Sequence, residues 1–281
     1  MTAACFTVLG LSLVGYLAAS VLYQGHLLVG KRTWGNWGRQ VLLAAAGLHM
    51  LGLIGHRLFA HTGLLANRLL VVSLFALFAL AVGLGVEWRF RIPLLNAFLA
   101  PVVFLAVLYA LIMPLEFPVE PLLLHYPWLG VHVVISLLGF AGFALAFCMA
   151  LLYLWQDHQL RARRFRQLLP SLDLADRGVY YLVGLGFPLL TLGIAMGFLW
   201  MVRGSGQDLR LTDPKILATS VTWIVYAIYL YLYRVVGWRG RKPHFLIILG
   251  FALVLLTFLA TRHQFTGEGV VPPTFAGLSR S

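Results

Sequence analysis

The chain alternates between long apolar runs and short polar connectors. Eight runs are long enough to cross a bilayer, because about 20 helical residues span roughly 30 Å of hydrocarbon. The pattern therefore predicts an all-α, polytopic integral membrane protein with eight transmembrane helices. The predicted helices cover residues 3–23, 40–60, 65–86, 92–113, 127–155, 178–202, 216–236 and 244–262.

The connectors between these runs leave no room for a sizeable soluble domain. The longest, about 20 residues, precedes Gly178. We expect residues 1–265 to form a single transmembrane domain and residues 266–281 to form a short outer tail. The first run lacks a cationic N-terminal region and a convincing small-residue cleavage site, so we expect it to be a retained helix.

Composition supports the membrane class. Hydrophobic residues make up 61% of the 281 residues and charged residues only 11%, whereas soluble domains carry about 25% charged residues. A net charge of +12 would suit nucleic-acid binding in a soluble protein, but Lys and Arg in a polytopic protein mostly mark cytoplasmic loops. We therefore expect contact with the lipid bilayer and no nucleic-acid partner. Cys5 and Cys148 lie in apolar runs and are expected to be packing residues.

The basic residues are distributed unevenly among the connectors. The first, third, fifth and seventh connectors carry fourteen of the 21 Lys and Arg residues. The positive-inside rule predicts that these connectors are cytoplasmic and that both termini lie on the outer, periplasmic side. The seventh contains the stretch GWRGRKPHF, Gly237 to Phe245, in which we expect Trp238 to be an interfacial anchor and His244 to be structural.

Histidines are the candidate metal ligands in this sequence. His49 and His56 share one helix face but lie about 10 Å apart, so they cannot bind one metal ion together. His132 begins the fifth predicted helix and His263 ends the eighth, so they come from different helices, as two axial ligands of a heme iron must. For each of these histidines, a hydrogen-bonded structural role is an equal alternative. No C-x-x-C-H motif for covalent heme attachment is present.

Three successive stretches together resemble the cytochrome c assembly family of CcsA/HemX-like membrane proteins. They are LGVHVVISLLGFAGFALAFCMALLYLWQDHQL, LPSLDLADRGVYYLVGLGFPLLTLGIAMGFLW and DPKILATSVTWIVYAIYLYLYRVVGWRGRKPHF, within residues 127–265. The resemblance implies eight transmembrane helices in a bacterial inner membrane and non-covalent heme handling during c-type cytochrome maturation. It also implies that His132, in GVHVV, is the first external ligand of the heme iron and that His263 is the candidate for the second.

The chain departs from the family pattern in the connector after the sixth helix. That connector reads MVRGSGQDLRLTDPKILATSVTW and lacks the family's tryptophan-rich WWD stretch. The chain therefore resembles the shorter, HemX-like branch more closely. Trp200, Arg203 and Arg210 border or lie in this connector and are further candidate heme contacts, the two arginines through the propionates. The alternative for the two arginines is that they lie at a solvated loop edge and do not contact heme.

These observations favour a carrier, transporter or assembly factor over an enzyme. The first hypothesis is a protein that binds heme or passes it toward the outer face, with His49 and His56 forming an embedded site earlier on the path. Its partners would be heme, apocytochrome c and a second cytochrome c assembly membrane protein. The alternative is a non-heme scaffold or regulatory subunit of heme biosynthesis or cytochrome assembly, whose histidines are structural. A small-molecule transporter shaped by proline-interrupted helices is a third hypothesis.

Overall fold

Every regular secondary-structure element in the described part of the protein is a helix. The computed structural model describes residues 3–60, 68–90, 94–112, 127–163, 171–204 and 214–259, together with Leu65 and Ile92. In a hydrocarbon environment, a helix satisfies every interior backbone group within its own segment. The apolar runs therefore fold as the sequence predicts, and the described residues contain no strand.

Eight α-helices lie in the described residues, and seven of them are long and apolar enough to cross a membrane. The eighth, which is the last described helix, begins with Arg241 and Lys242. The helices are α1 Ala3–Val29, α2 Arg32–Ala60, α3 Arg68–Phe90, α4 Leu95–Ile112, α5 Pro127–Arg161, α6 Leu172–Gly204, α7 Pro214–Tyr231 and α8 Arg241–Leu259.

Several helices extend beyond the predicted transmembrane runs. α1 continues to Val29, α2 begins at Arg32, and α5 continues to Arg161. The reason is that hydropathy marks only the part of a helix that lipid surrounds, whereas backbone hydrogen bonding continues into the polar zone at either side. α7 ends in one π-helical turn, Leu232–Val236, before the GWRGRKPHF stretch.

Neighbouring helices form antiparallel hairpins. α1 pairs with α2, α3 with α4, α5 with α6, and α7 with α8. Further contacts join α1 to α4, α3 and α4 to α5, α5 to α8, and α6 to α7. The connectors within the four hairpins lie at one end of the bundle, which we call the basic end because these connectors carry most of the Lys and Arg. The other end is called the opposite end.

α5 is the central helix. It packs against α3, α4, α6 and α8, and its side chains from Leu137 to Leu152 contribute much of the buried core. Ring stacking joins it to the last hairpin, with Phe143 lying 3.7 Å from Tyr226 and Phe147 lying 4.5 Å from Phe251 between ring centroids. α5 therefore connects the second hairpin to the last one.

Small residues let α5 and α6 approach closely. A Cβ on Gly186 would lie 2.9 Å from the carbonyl oxygen of Gly139, and a Cβ on Gly139 would lie 3.0 Å from the backbone nitrogen of Leu190. Backbones that pack at this distance gain van der Waals contact, which is the main force for helix association in lipid. The α5–α6 contact is therefore fixed by glycine.

We predict that Gly186→Ala destabilises the protein by about 1–3 kcal/mol, because the added methyl group would meet both the backbone of α5 at Gly139 and the buried Phe143 ring. Gly184, two residues earlier on α6, has open space around its missing Cβ. The control Gly184→Ala should be neutral or stabilise the helix by up to about 1 kcal/mol. Thermal unfolding in detergent measures both, and equal melting temperatures for the two variants would contradict the close α5–α6 contact.

Candidate functional site

His132 lies in the second turn of α5, at the opposite end of the bundle, and is held by α6. Its Nδ1 is 2.7 Å from the carbonyl oxygen of Gly193. Because a carbonyl only accepts hydrogen bonds, Nδ1 must be the protonated nitrogen. In a neutral ring, the lone pair then lies on Nε2. Histidines that bind metals usually have this arrangement, with the second ring nitrogen donating to a carbonyl or carboxylate.

Glycine also shapes the space around His132. A Cβ on Gly197 would lie 2.9 Å from Cε1 of the imidazole ring. One helical turn earlier, Gly193 packs against Ser136 of α5 and supplies the carbonyl that orients the ring. The orientation of His132 therefore depends on two glycines of α6, one that bonds the ring and one that leaves room for it.

His49 is fully buried between α1 and α2. Its Nδ1 lies 3.2 Å from the hydroxyl oxygen of Tyr16, and its Nε2 is buried without a hydrogen-bond partner in the structure. The two rings meet edge to face, with their centroids 5.8 Å apart. Buried polar atoms are normally paired. Nε2 of His49 is therefore unusual, because it is a buried nitrogen without a hydrogen-bond partner in the structure.

His56 lies two turns further along α2 and is also buried. It belongs to the same hairpin as His49, whereas His132 belongs to the α5–α6 hairpin. Hence the structure assigns the candidate histidines to two different helix pairs. The predicted separation of His49 and His56 along one helix is confirmed, since α2 runs unbroken from Arg32 to Ala60.

Four candidate residues cannot be described in atomic terms. Trp200 and Arg203 belong to the last turns of α6, but their side chains lie outside the described residues. Arg210 and His263 also lie outside the described residues. Their roles remain the expectations stated above.

Two acidic residues at the basic end were not singled out in the sequence. Asp157 of α5 and Asp176 of α6 are both buried. Arg241 lies 3.3 Å from Asp157, and Arg239 lies 3.9 Å from Asp176. The cationic GWRGRKPHF stretch therefore binds acids on two different helices. In the sequence, Asp157 and Asp176 stand out only as acidic residues near the ends of apolar helices.

The backbone of this stretch depends on two glycines. Gly237 has a φ of 76° and Gly240 a φ of 85°, a region that residues with a Cβ rarely adopt. Gly237 also ends the π-helical turn, with its N–H donating to the carbonyl of Leu232. These two turns aim Arg239 and Arg241 at their acids.

Within the described residues, no group of three or more His, Cys, Asp or Glu side chains could hold a metal ion. Cys5 and Cys148 are buried thiols, as expected for packing residues.

Comparison with known proteins identifies relatives of the chain. It is 29% identical over 207 residues to "Cytochrome c biogenesis protein CcsA" of Guillardia theta, covering 66% of the chain and 67% of the relative. It is 30% identical over 145 residues to the protein of the same name from Chlamydomonas reinhardtii, covering 51% and 39%. For the Gloeothece citriformis protein of that name, identity is 41% over 104 residues, covering 37% and 31%.

The chain thus spans between 31% and 67% of the length of these three relatives. A family-wide comparison extends further along the chain. The sequence profile of the family described as "Cytochrome C assembly protein" matches residues 34–267, which run from the first turn of α2 to beyond Leu259 at the end of α8. Because this match covers most of the chain, the chain belongs to the cytochrome c assembly protein family.

Proposed function

We propose that this membrane protein handles heme in the assembly of c-type cytochromes, binding it or passing it toward the outer face of the membrane. Membership in the cytochrome c assembly protein family supports a role in this pathway, and the relatives carry the name of cytochrome c biogenesis proteins. The helical membrane architecture suits a protein that receives an apolar cofactor from within or across the bilayer. Apocytochrome c and a second assembly membrane protein are the proposed partners.

The observation that carries the proposal is the geometry of His132. Its Nδ1–H donates to the carbonyl of Gly193, and in this proposal Nε2 would be the atom that binds the iron. The hydrogen bond fixes the ring and makes it a better donor to a metal. A non-covalent heme would supply an electron-accepting iron at this position, and the protein would supply the ligand and its orientation.

The packing of α5 against α8 supports His263 as the second ligand. Tyr153 stacks on His244, and Phe147 stacks on Phe251, so the two helices run antiparallel in one fixed register. His263 follows Leu259, the last described residue of α8, by four positions in the sequence, and α8 runs from the basic end toward the end of the bundle that holds His132. Axial ligands from two helices would then approach the iron from different sides.

Other candidates extend the proposed path. His49, with its unpaired and buried Nε2, suits an embedded ligand in the α1–α2 hairpin, and His56 lies closer to the outer end of that hairpin. Trp200 would pack against the porphyrin beside His132, and Arg203 and Arg210 would pair with its carboxylates. The absence of the WWD run supports assignment to the HemX-like branch, with a reduced outer heme platform.

The membrane topology is the second part of the proposal. Eight helices cross a bacterial inner membrane, with the basic end in the cytoplasm and both termini outside, as the positive-inside rule requires. His132 then lies at the outer face. In this topology, the Lys and Arg residues of the basic end and the candidate ligand His132 lie on opposite sides of the bilayer.

A non-heme scaffold is the second candidate function. The reduced tryptophan content of the connector after α6 favours it, because a shorter platform gives fewer contacts to a porphyrin. In that case, the His132–Gly193 hydrogen bond would only join α5 to α6. The two functions differ in whether the purified protein carries heme.

We predict that the detergent-solubilised protein from heme-replete cells shows a Soret band and that His132→Ala or His263→Ala removes most of it, because each substitution removes an axial ligand. Absorption per mole of protein measures the occupancy. His158→Ala is the matched control: His158 lies on the same helix at the basic end and is exposed, so its loss should leave the band unchanged.

Two results would overturn heme handling. One is the wild-type protein purifying without heme while a deletion strain matures its c-type cytochromes normally. The other is heme that stays bound in both the His132 and the His263 variants. Heme bound in wild type but lost equally in His158→Ala would contradict the placement of the ligand at the outer end.

The topology makes a separate prediction. A cysteine introduced at exposed Lys242 should react with a membrane-impermeant maleimide only after the cells are permeabilised. A cysteine introduced at Ser205, in the connector after α6, should react in intact cells. Cys5 and Cys148 are buried and should give little background labelling. The reverse pattern of labelling would contradict the proposed orientation.

A further inference from the structure

Two prolines lie in the interior of membrane-spanning helices, Pro101 in α4 and Pro188 in α6. Proline has no backbone N–H, so it cannot donate to the carbonyl four residues earlier in a helix. The carbonyls that lose their usual donor are those of Ala97 in α4 and Gly184 in α6. Lipid chains offer no replacement, so each carbonyl needs a donor from protein.

In α4, this donor comes from a neighbouring helix of the same chain. The side-chain Nε2 of Gln24, on α1, lies 2.7 Å from the carbonyl oxygen of Ala97. Ala97 is buried, and α1 packs directly against α4. The bundle thus pairs a carbonyl left free by proline with an amide side chain from another helix.

In α6, the corresponding carbonyl lies on an exposed face. Gly184 and Pro188 are both exposed, and a Cβ on Gly184 would meet open space. Two polar side chains on this side of α6 donate elsewhere: Thr191 donates to the carbonyl of Phe187 at 2.8 Å, and Nε1 of Trp223 donates to Thr191 at 2.9 Å. Within the described helices, the Gly184 carbonyl therefore lacks the interhelical donor that its counterpart in α4 has.

The exposed face of α6 has the form of a surface on which another helix packs. Small residues run along its centre, and larger exposed side chains border them. The central residues are Gly184, Pro188 and Ala195, and the bordering residues are Tyr181, Leu185 and Leu192. Small residues let a second backbone approach closely in lipid. α6 and α7 are also the least buried of the seven candidate spans, so this side of the bundle is open to a partner.

We propose that this face of α6 docks a transmembrane helix of another membrane protein, which donates a side-chain amide hydrogen bond to the carbonyl of Gly184. The amide chemistry is that of α4, where Gln24 fills the same role. The inference does not depend on heme binding, and loss of the heme proposal would leave it unchanged.

A second copy of this chain does not supply the donor. Two copies in the same membrane orientation would meet with parallel α6 helices, related by a twofold axis along the membrane normal. The hydroxyl of Thr191 and the indole N–H of Trp223 are already engaged. Tyr181 lies one turn before Gly184, and helical side chains lean toward the helix start, away from the level of that carbonyl. A symmetric pair would leave both Gly184 carbonyls unpaired.

The test uses the full-length protein in phosphatidylcholine vesicles with a synthetic transmembrane peptide of leucine and alanine that carries one central glutamine. A second peptide has leucine at that position. Fluorescence energy transfer between labelled protein and labelled peptide measures the association. We expect the wild type to bind the glutamine peptide about three- to tenfold more tightly than the leucine peptide, which is the effect of one interhelical hydrogen bond in lipid.

Two variants locate the hydrogen bond. Pro188→Ala returns an N–H to the carbonyl of Gly184, so the preference for the glutamine peptide should disappear. Gly184→Leu fills the centre of the face and should weaken the binding of both peptides. Gly47→Leu is the matched control, because Gly47 is an exposed glycine of α2 with open space around it and the residue four positions later, Leu51, has its N–H. This control should bind both peptides as the wild type does.

Equal binding of the two peptides by the wild type would overturn the proposal. So would a glutamine preference that persists in Pro188→Ala or Gly184→Leu, because the hydrogen bond would then lie elsewhere. Energy transfer between two labelled copies of the protein that Gly184→Leu abolishes, without any peptide preference, would assign the face to a second copy and also overturn it. The Soret band of the same samples reports on the heme proposal separately.

Discussion

The close contact between α5 and α6 is the constraint on which the rest of the structure depends. Gly139 and Gly186 bring the two backbones within van der Waals distance, and this approach has consequences at both ends of the pair. At one end, it allows the ring of His132 to reach the carbonyl of Gly193. At the other, it brings α6 and its buried Asp176 beside α5, against which α8 also packs. A side chain in place of either glycine would alter both arrangements.

The bundle separates two kinds of chemistry along its length. The basic end contains buried carboxylates paired with arginines, tyrosine and histidine, whereas the opposite end contains a histidine oriented by a backbone carbonyl. This separation suits a protein that handles an iron porphyrin at one membrane face. Acidic side chains near the iron would compete with histidine for the positively charged metal and would repel the propionates. The carboxylates of Asp157 and Asp176 lie far from His132 along α5 and α6.

Much of the fold follows directly from the sequence, since apolar runs in lipid have few alternatives to helices. The contacts that define the sites do not follow in the same way. His132 bonds to a residue 61 positions later, and Tyr233 to one 57 positions earlier, so neither pair gives a local pattern. Asp157 and Asp176 are charged residues near helix ends and resemble solvated residues in the sequence. In the fold, the α7–α8 connector returns onto α5 and α6, where Arg239 and Arg241 approach the two buried carboxylates.

The central claim is that Nε2 of His132 binds the heme iron, and ligand rescue tests it most directly. His132→Gly removes the imidazole but leaves the Gly193 and Gly197 side of the site intact, so free imidazole can enter the vacated space. The account predicts that His132→Gly loses the absorption spectrum of six-coordinate heme and that added imidazole restores it. A wild-type spectrum in His132→Gly without imidazole would contradict the claim.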